Sequence, residues 1–201
     1  MDEFALHGYK NTSTNTIVKR LGISKGALFL YFGDKKHLYL YIVDYAVESL
    51  VNKFLNQFND ENGPKTFDIF EDYDWIKGYY GRIIQEDIDV LNFALRAILG
   101  TGTPEELGKE VAERHKRHRE LLLHKINRDN FREDIDPGKA MELLVIVADH
   151  AKHIVAREFM GKSGNFLPED LDKFLELYKE YLKIIQYGIC EQHKYVAAHT
   201  I

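Results

Sequence analysis

The sequence is short of several features, and each shortage excludes a class of protein. Its 201 residues contain one cysteine, Cys190, so no disulfide can form within the chain and no cysteine cage can hold a metal. It has no run of about 18 uncharged apolar residues, which excludes a membrane-spanning helix. The first residues, MDEFALHGYK, have neither the basic flank nor the apolar run of a signal peptide. We therefore expect a cytoplasmic protein with no membrane partner.

Signatures of catalysis are also missing. The sequence has no nucleophile with a neighbouring base, no phosphate-binding glycine loop and no distinctive pair of carboxylates. His115 and His118 are three residues apart, as are His150 and His153, but no HExxH motif or cysteine ligand accompanies either pair. Cavity lining and surface positions are the alternatives for these histidines. We predict no catalytic residue, no metal, no cofactor and no enzymatic activity.

What the sequence does have is helical periodicity. Apolar residues make up 45% of the chain and recur at intervals of three and four positions. Each of the four prolines stands where a helix can begin. The pattern predicts an all-α fold, an N-terminal helix-turn-helix followed by a helical bundle. The predicted helices cover about residues 2–6, 12–21, 24–32, 34–58, 64–85, 87–99, 104–131, 137–161 and 168–193.

Charge is distributed unevenly along the chain. The net charge is −5, yet residues 1–40 contain six Lys or Arg against three Asp or Glu. This segment therefore carries +3 and the remaining 161 residues carry −8. Such an asymmetry predicts a small module that faces a polyanion, attached to an acidic body.

The stretch LGISKGALFLYFGDKK, residues 21–36, has the composition of a helix-turn-helix. Gly22 can take the positive φ of a tight turn, and Ser24 can cap the next helix. Apolar residues on both sides provide anchors, namely Ile17, Leu21, Ile23, Leu28 and Phe32. Small residues near the start of the second helix allow close approach to DNA, and nearby Lys and Tyr side chains can contact phosphates.

Residues 4–45 resemble the DNA-binding domain of the TetR family of bacterial transcriptional regulators. Phe4, Gly8 and Tyr9 match the end of that family's first helix, and a further set matches its recognition helix and exit: Gly22, Ser24, Lys25, Gly26, Leu28, Tyr31, Phe32 and Lys35. The resemblance implies a DNA-binding domain over residues 1–45, with a shortened first helix, and a ligand-binding and dimerisation domain over 46–201. The expected DNA-contacting residues are Thr14, Ser24, Lys25, Gly26, Ala27, Phe29, Tyr31, Lys35 and Lys36.

The resemblance also implies partners. It implies a homodimer formed through the last two long helices, a palindromic operator in double-stranded DNA, and a repressor that a small-molecule effector releases from this operator. Because the family has further helical turns before its equivalent of Phe4, an alternative is a small-molecule-binding helical protein whose DNA-binding head is weakened or non-functional.

The segment DYDWIKGYYGRI, residues 72–83, is rich in aromatic residues that combine an apolar face with a polar tip. Such residues line pockets for small molecules, although ordinary core packing is the alternative. The predicted effector-binding residues are Trp75, Tyr79, Tyr80, Phe93, Arg96 and His118.

Overall fold

A computed structural model of the chain describes residues 1–59, 64–101, 103–154, 157–158 and 165–190. These residues form eight α-helices and one 3-10 helix, and the only β-structure among them is two isolated bridges, so the predicted all-α class is confirmed. The helices are α1 (Asp2–Asn11), α2 (Thr14–Leu21), α3 (Lys25–Phe32), α4 (Lys35–Leu55), the 3-10 helix (Asn56–Phe58), α5 (Tyr73–Ile98), α6 (Glu105–Leu123), α7 (Pro137–Ile154) and α8 (Asp170–Ile189).

Side-chain caps fix the ends of the N-terminal helices. Three backbone N–H groups donate to capping oxygens: Thr16 to Ser13 at 3.3 Å, Ala27 to Ser24 at 3.0 Å and His37 to Asp34 at 2.8 Å. Gly22 ends α2 in the left-handed conformation, with φ 64° and ψ 25°. The predicted caps at Ser24 and Asp34 and the predicted stop at Gly22 are confirmed.

The chain divides into two compact units, and the first comprises Met1–Lys53 with Asp87–Glu120. Tyr39 lies at its centre and is 2% exposed. The rings of Phe4, Tyr9 and Phe93 lie 5.1, 5.2 and 6.2 Å from the Tyr39 ring, centroid to centroid. Aromatic side chains from α1, α4 and α5 therefore form one core in this unit.

Helix α1 changes direction at Gly8, where φ is 65°. The sequence predicts that the helix ends there, but one more turn follows and α1 extends to Asn11. The buried hydroxyl of Thr12 donates to the carbonyl oxygens of Glu3 and Gly8, at 3.0 and 2.6 Å. This side chain stabilises the kinked helix by satisfying carbonyl groups on both sides of the kink.

The second unit comprises Phe54–Glu86 and Leu121–Ile201. Helix α7 packs against α8 in this unit. The two helices contribute six residues to one buried apolar cluster: Ala140, Met141, Leu144, Leu182, Ile185 and Ile189. Pro137 is the first residue of α7, as predicted.

The prediction of a helix from residue 64 is wrong, because α5 begins only at Tyr73. The carboxylate of Asp68 accepts hydrogen bonds from the backbone N–H groups of Phe70 and Glu71, at 2.9 and 3.3 Å. The Asp68 N–H in turn donates to the Asp72 carboxylate at 2.7 Å. These local side-chain bonds hold a turn that competes with a helix.

Other predicted helix ends differ from those observed. The break predicted between residues 85 and 87 is confirmed as a kink at Asp87, where φ is −138°. Helix α6 ends at Leu123, well before the predicted residue 131, because residue 126 pairs in a parallel bridge with Phe67. The end predicted at 161 lies outside the described residues, whereas the end predicted at 193 is wrong, because α8 ends at Ile189 and Cys190 is already extended. The domain boundary predicted near residue 45 falls within α4 and stays a prediction.

Candidate nucleic-acid interface

Helices α2 and α3 pack against each other and are joined by a three-residue turn, residues 22–24. The turn is closed by the backbone N–H of Ile23, which donates to the Val18 carbonyl oxygen at 3.1 Å. Leu21, predicted as a core anchor, is the last residue of α2 and is 63% exposed, so that assignment is wrong. The pair nevertheless has the geometry of a helix-turn-helix.

Helix α3 has one packed face and one exposed face. Leu28 is buried, and Phe32 is half-buried with its ring 5.2 Å from that of Tyr41 on α4. The opposite face presents Leu30 and Tyr31, which are 83% and 82% exposed. A folded chain that leaves such side chains in water has a surface suited to a partner.

The residues predicted to contact DNA on α2 and α3 differ in exposure. Ser24, Lys25, Gly26 and Tyr31 are exposed, whereas Thr14, Ala27 and Phe29 are half-buried. The ammonium group of Lys25 lies 5.8 Å from the centroid of the Phe29 ring. Four of these residues are therefore on the surface, and Phe29 contacts a lysine that is available to a phosphate.

The two lysines predicted at the start of α4 contact groups of the protein itself. Lys35 Nζ donates to the Lys10 carbonyl oxygen at 3.1 Å and lies 4.9 Å from the Tyr9 ring centroid. Lys36 Nζ forms an ion pair with Glu110 of α6, at 2.9 Å. Binding of a phosphate by either lysine would therefore exchange an existing contact for a new one.

These contacts affect the ionisation of the groups involved. Hydrogen bonds from Lys36 and Arg114 lower the pKa of the Glu110 carboxyl. Burial lowers the pKa of Lys35, and hydrogen bonds from His37 lower the pKa of Asp34 at the start of α4. Glu110 and Asp34 are therefore held in their charged forms near the predicted DNA-contacting residues.

Leu30 belongs to the exposed face of α3 but is absent from the residues predicted to contact DNA. The helical period identifies it, because it stands about 180° around the helix from the midpoint of Leu28 and Phe32. The residues predicted on α3 are small, aromatic or hydrogen-bonding, and this aliphatic side chain was not among them.

The predicted effector-binding residues are divided between the two units of the chain, three in each unit. In the second unit, Trp75 and Tyr79 pack against Phe54, with ring centroids 5.5 and 5.2 Å from its ring. Tyr79 is buried and Tyr80 is partly exposed. The contacts of Trp75 and Tyr79 agree with core packing, the alternative given for them.

The other three predicted effector-binding residues belong to the first unit. Phe93 is buried beside Tyr39, while Arg96 and His118 are half-buried. The Nδ1 atom of His118 lies 3.0 Å from the Arg114 carbonyl oxygen of the same helix, so this nitrogen donates to it. The effector site stays a prediction.

An open groove of about 370 Å³ runs beside α7 in the second unit. It contains none of the predicted effector-binding residues, and its lining is Leu123, Gly138, Met141, Glu142, Val145 and Ile146. Among the residues that the structure describes, no group of three or more His, Cys, Asp or Glu side chains is placed to hold a metal ion. None of the described helices is both long and apolar enough to cross a membrane.

Comparison with known families gives a match over the region that contains the helix-turn-helix. Residues 1–42 match the family described as bacterial regulatory proteins, tetR family. The chain is 36% identical over 63 residues to YuxN of Bacillus subtilis, an uncharacterised HTH-type transcriptional regulator, covering 31% of this chain and 22% of YuxN. It is 31% identical over 86 residues to an HTH-type transcriptional regulator of Staphylococcus aureus, covering 43% of this chain and 42% of that protein. The alignments thus span less than half of either curated relative.

The similarity to solved structures extends over most of the chain. A TetR family transcriptional regulator from Chloroflexus aurantiacus superposes with a TM-score of 0.51, at 22% identity, covering 95% of this chain and 89% of that one. NalD, the secondary repressor of the MexAB-OprM multidrug efflux pump in Pseudomonas aeruginosa, has a TM-score of 0.54 at 17% identity, covering 95% and 91% of the two chains. At these identities the match establishes the fold alone.

Proposed function

We propose that this chain is a transcriptional regulator of the TetR family, whose model matches residues 1–42, and that it binds double-stranded DNA through α3. The observation that carries the proposal is the exposed face of α3, in a helix-turn-helix that matches the family over residues 1–42. An eight-residue helix with small residues at its start can enter the major groove. The excess of positive charge over residues 1–40 favours approach to phosphates.

We further propose a homodimer formed through α7 and α8, the last two long helices. Each helix has a pair of exposed apolar residues three positions apart: Leu143 and Ile146 on α7, Ile184 and Tyr187 on α8. A second copy of the chain can bury these residues in a twofold-symmetric dimer. A twofold-symmetric dimer matches the symmetry of the palindromic operator that the family resemblance implies. Two copies of α3 would then read half-sites about 34–36 Å apart, one turn of DNA.

The regulator is proposed to be a cytoplasmic repressor that a small molecule releases from its operator. The effector site is proposed at the aromatic segment of residues 72–83 on the ground of its residue types, because tyrosine and tryptophan combine an apolar face with a hydrogen-bonding group. Release requires an effector that binds the DNA-free state more tightly than the DNA-bound state.

The test is a titration of the full-length protein against the duplex that lies upstream of its own gene, at several salt concentrations. Fluorescence anisotropy gives the Kd for this duplex and for a shuffled duplex of the same length. We expect a preference of at least about 1,000-fold for the upstream duplex and a steep fall of affinity with salt.

Tyr31→Ala and Lys25→Ala provide the variants for this titration, and Lys139→Ala provides the control. All three residues are exposed, and Lys139 lies on α7, which belongs to the second unit. The first two variants are expected to weaken binding about tenfold or more, and the control to leave it unchanged. Equal binding of both duplexes, with Tyr31→Ala and Lys25→Ala silent, would favour the alternative of a small-molecule-binding protein with a non-functional DNA-binding head.

A further inference from the structure

Leu30 is the most exposed large apolar side chain among the described residues, at 83%. It lies in the middle of the second half of α3, not at a frayed chain end. Burial of a leucine side chain is favourable, so the exposed Leu30 leaves a gain in binding free energy available to a partner.

The direction of Leu30 is set by the residues that pack α3 onto the rest of its unit. Successive residues of an α-helix are about 100° apart, which places Leu30 opposite the midpoint of Leu28 and Phe32. Leu28 is buried, and Phe32 contacts the ring of Tyr41. Leu30 therefore projects from the centre of the exposed face.

The residues that precede Leu30 by one helical turn on the exposed face of α3 are small. Gly26 is one turn earlier on the same side, and a Cβ atom built on it would meet only the Ser24 hydroxyl oxygen, at 3.8 Å. Ala27 flanks the other side and is half-buried. Because the two residues one turn before it are small, the leucine can reach a surface that this part of the α3 backbone approaches closely.

We infer that Leu30 reads a thymine in each half-site by packing against its C5 methyl group. The inference rests on the proposed function, because it requires α3 to lie in the major groove. A leucine side chain has no hydrogen-bonding group, and in the major groove the thymine methyl is the apolar feature that distinguishes one base pair from the others. Leu30 is thus a specificity-determining residue, whereas Lys25 and Tyr31 contact the sequence-independent phosphates.

The experiment begins with a selection of tight-binding duplexes from a random library, using the full-length protein. The thymines of the selected duplex are then replaced by deoxyuridine, which lacks only the C5 methyl group, one position at a time. Each replacement is made at the equivalent position of both half-sites. At one thymine position, the replacement is expected to remove the contact between the methyl group and Leu30. The Kd of the wild-type protein should then rise about fourfold for each half-site, which is about 15-fold for the two together. Leu30→Ala is expected to bind the thymine and the deoxyuridine duplexes equally at that position.

Leu6→Ala is the matched control, because Leu6 is also a highly exposed leucine of the same unit but lies on α1. It is expected to retain the wild-type sensitivity to deoxyuridine. Wild-type protein that is insensitive at every thymine, or Leu30→Ala that remains as sensitive as wild type, would overturn the inference while leaving the proposed function intact. A selection that enriches no sequence would contradict both.

Discussion

Gly22 and Gly26 stand four residues apart in the helix-turn-helix and have different roles. Gly22 has φ 64°, a conformation in which a Cβ atom is strained, whereas Gly26 lies within α3 and has room for a side chain. Gly22 therefore serves the fold, and Gly26 leaves the surface of α3 open to close approach.

Alanine substitution separates these two roles. Gly22→Ala is expected to lower the free energy of unfolding by about 1–2 kcal/mol, because the turn requires the left-handed conformation. Gly26→Ala is expected to raise it by up to about 1 kcal/mol, because alanine favours the helix, and yet to weaken DNA binding. Urea denaturation and anisotropy titrations measure the two effects. Equal effects of both variants on stability would contradict this assignment.

At the residue scale, the sequence predicts the turn and the caps well, because a cap depends on a side chain and backbone groups only two or three residues away. Ser24 and Gly22 are of this kind. The contacts of Lys35 and Lys36 depend on residues as distant as Glu110, and the pattern of one segment contains no information about such partners. Local chemistry was predictable, and long-range pairing was not.

Tyr39 offers a test of the core of the first unit. Its hydroxyl lies 2.7 Å from Thr103 Oγ1, and because the Thr103 hydroxyl donates to the Ala97 carbonyl at 3.1 Å, Tyr39 is the donor. Burial raises the pKa of the Tyr39 phenol above its ordinary value. The unfolded chain therefore loses this proton at a lower pH than the folded chain does.

The free energy of unfolding is accordingly expected to fall as the pH rises above about 10, where the unfolded phenol ionises. Tyr39→Phe is expected to be about 1 kcal/mol less stable than wild type at pH 7, because the hydrogen bond is lost. This deficit should shrink above pH 10, since phenylalanine cannot ionise. Denaturation curves of the wild type and of Tyr39→Phe at pH 7 and 10.5 give the free energies of unfolding. If this free energy falls by the same amount in both proteins between the two pH values, the role of Tyr39 is contradicted.

At the scale of elements, an ion-pair network joins α4 to α6. Lys36 pairs with Glu110, and Arg114 pairs with both Glu110 and Asp44. Glu110 is thus shared between a lysine predicted to contact DNA and an arginine that anchors α6 to α4. The position of α6 and the availability of Lys36 are linked through one carboxylate.

Removal of that carboxylate is expected to strengthen DNA binding. Glu110→Gln frees Lys36 for a phosphate, so the Kd should fall about two- to threefold and the slope of log K against log salt should become steeper by about 0.9 per protomer. Glu113→Gln removes the same charge from an exposed position on α6 and is the control. If both variants strengthen binding equally, the effect comes from net charge and not from the Lys36 pair.

The elements that the sequence predicts poorly are those in which side chains form local bonds with the backbone. Helical periodicity and Pro64 predict a helix over residues 64–72, but the Asp68 carboxylate accepts the N–H groups that a helix would use. The bridge between Phe67 and Ile126 joins segments that are about 60 residues apart in the sequence, and α6 ends before it. Helical periodicity, in contrast, located α2, α3, α4 and the kink at Asp87.

At the scale of the whole molecule, the proposed function requires two copies of the chain. The dimer is proposed to form through apolar residues of α7 and α8 that each copy exposes. Since a symmetric operator is read by two copies of α3, loss of the dimer should cost much of the DNA affinity even though no DNA-contacting residue has changed.

Ile184→Glu tests this requirement. Ile184 is 71% exposed in the single chain, so the substitution should spare the fold of each copy and yet bury a charge in the dimer interface. Sedimentation should give monomers at micromolar concentration, with an unchanged helical circular dichroism signal and a weaker affinity for the operator. Leu121→Glu, at an exposed position of α6, should remain dimeric. A dimeric Ile184→Glu protein would place the interface elsewhere.

The central claim is that the chain reads DNA as a pair of α3 helices, and hydroxyl-radical footprinting on the duplex upstream of its own gene tests it most directly. The wild-type protein is expected to protect two segments whose centres are about 10–10.5 base pairs, or a multiple of this, apart. Tyr31→Ala should lose both protections at the same protein concentration. A uniform cleavage pattern with saturating wild-type protein, or a footprint that Tyr31→Ala leaves unchanged, would contradict the account.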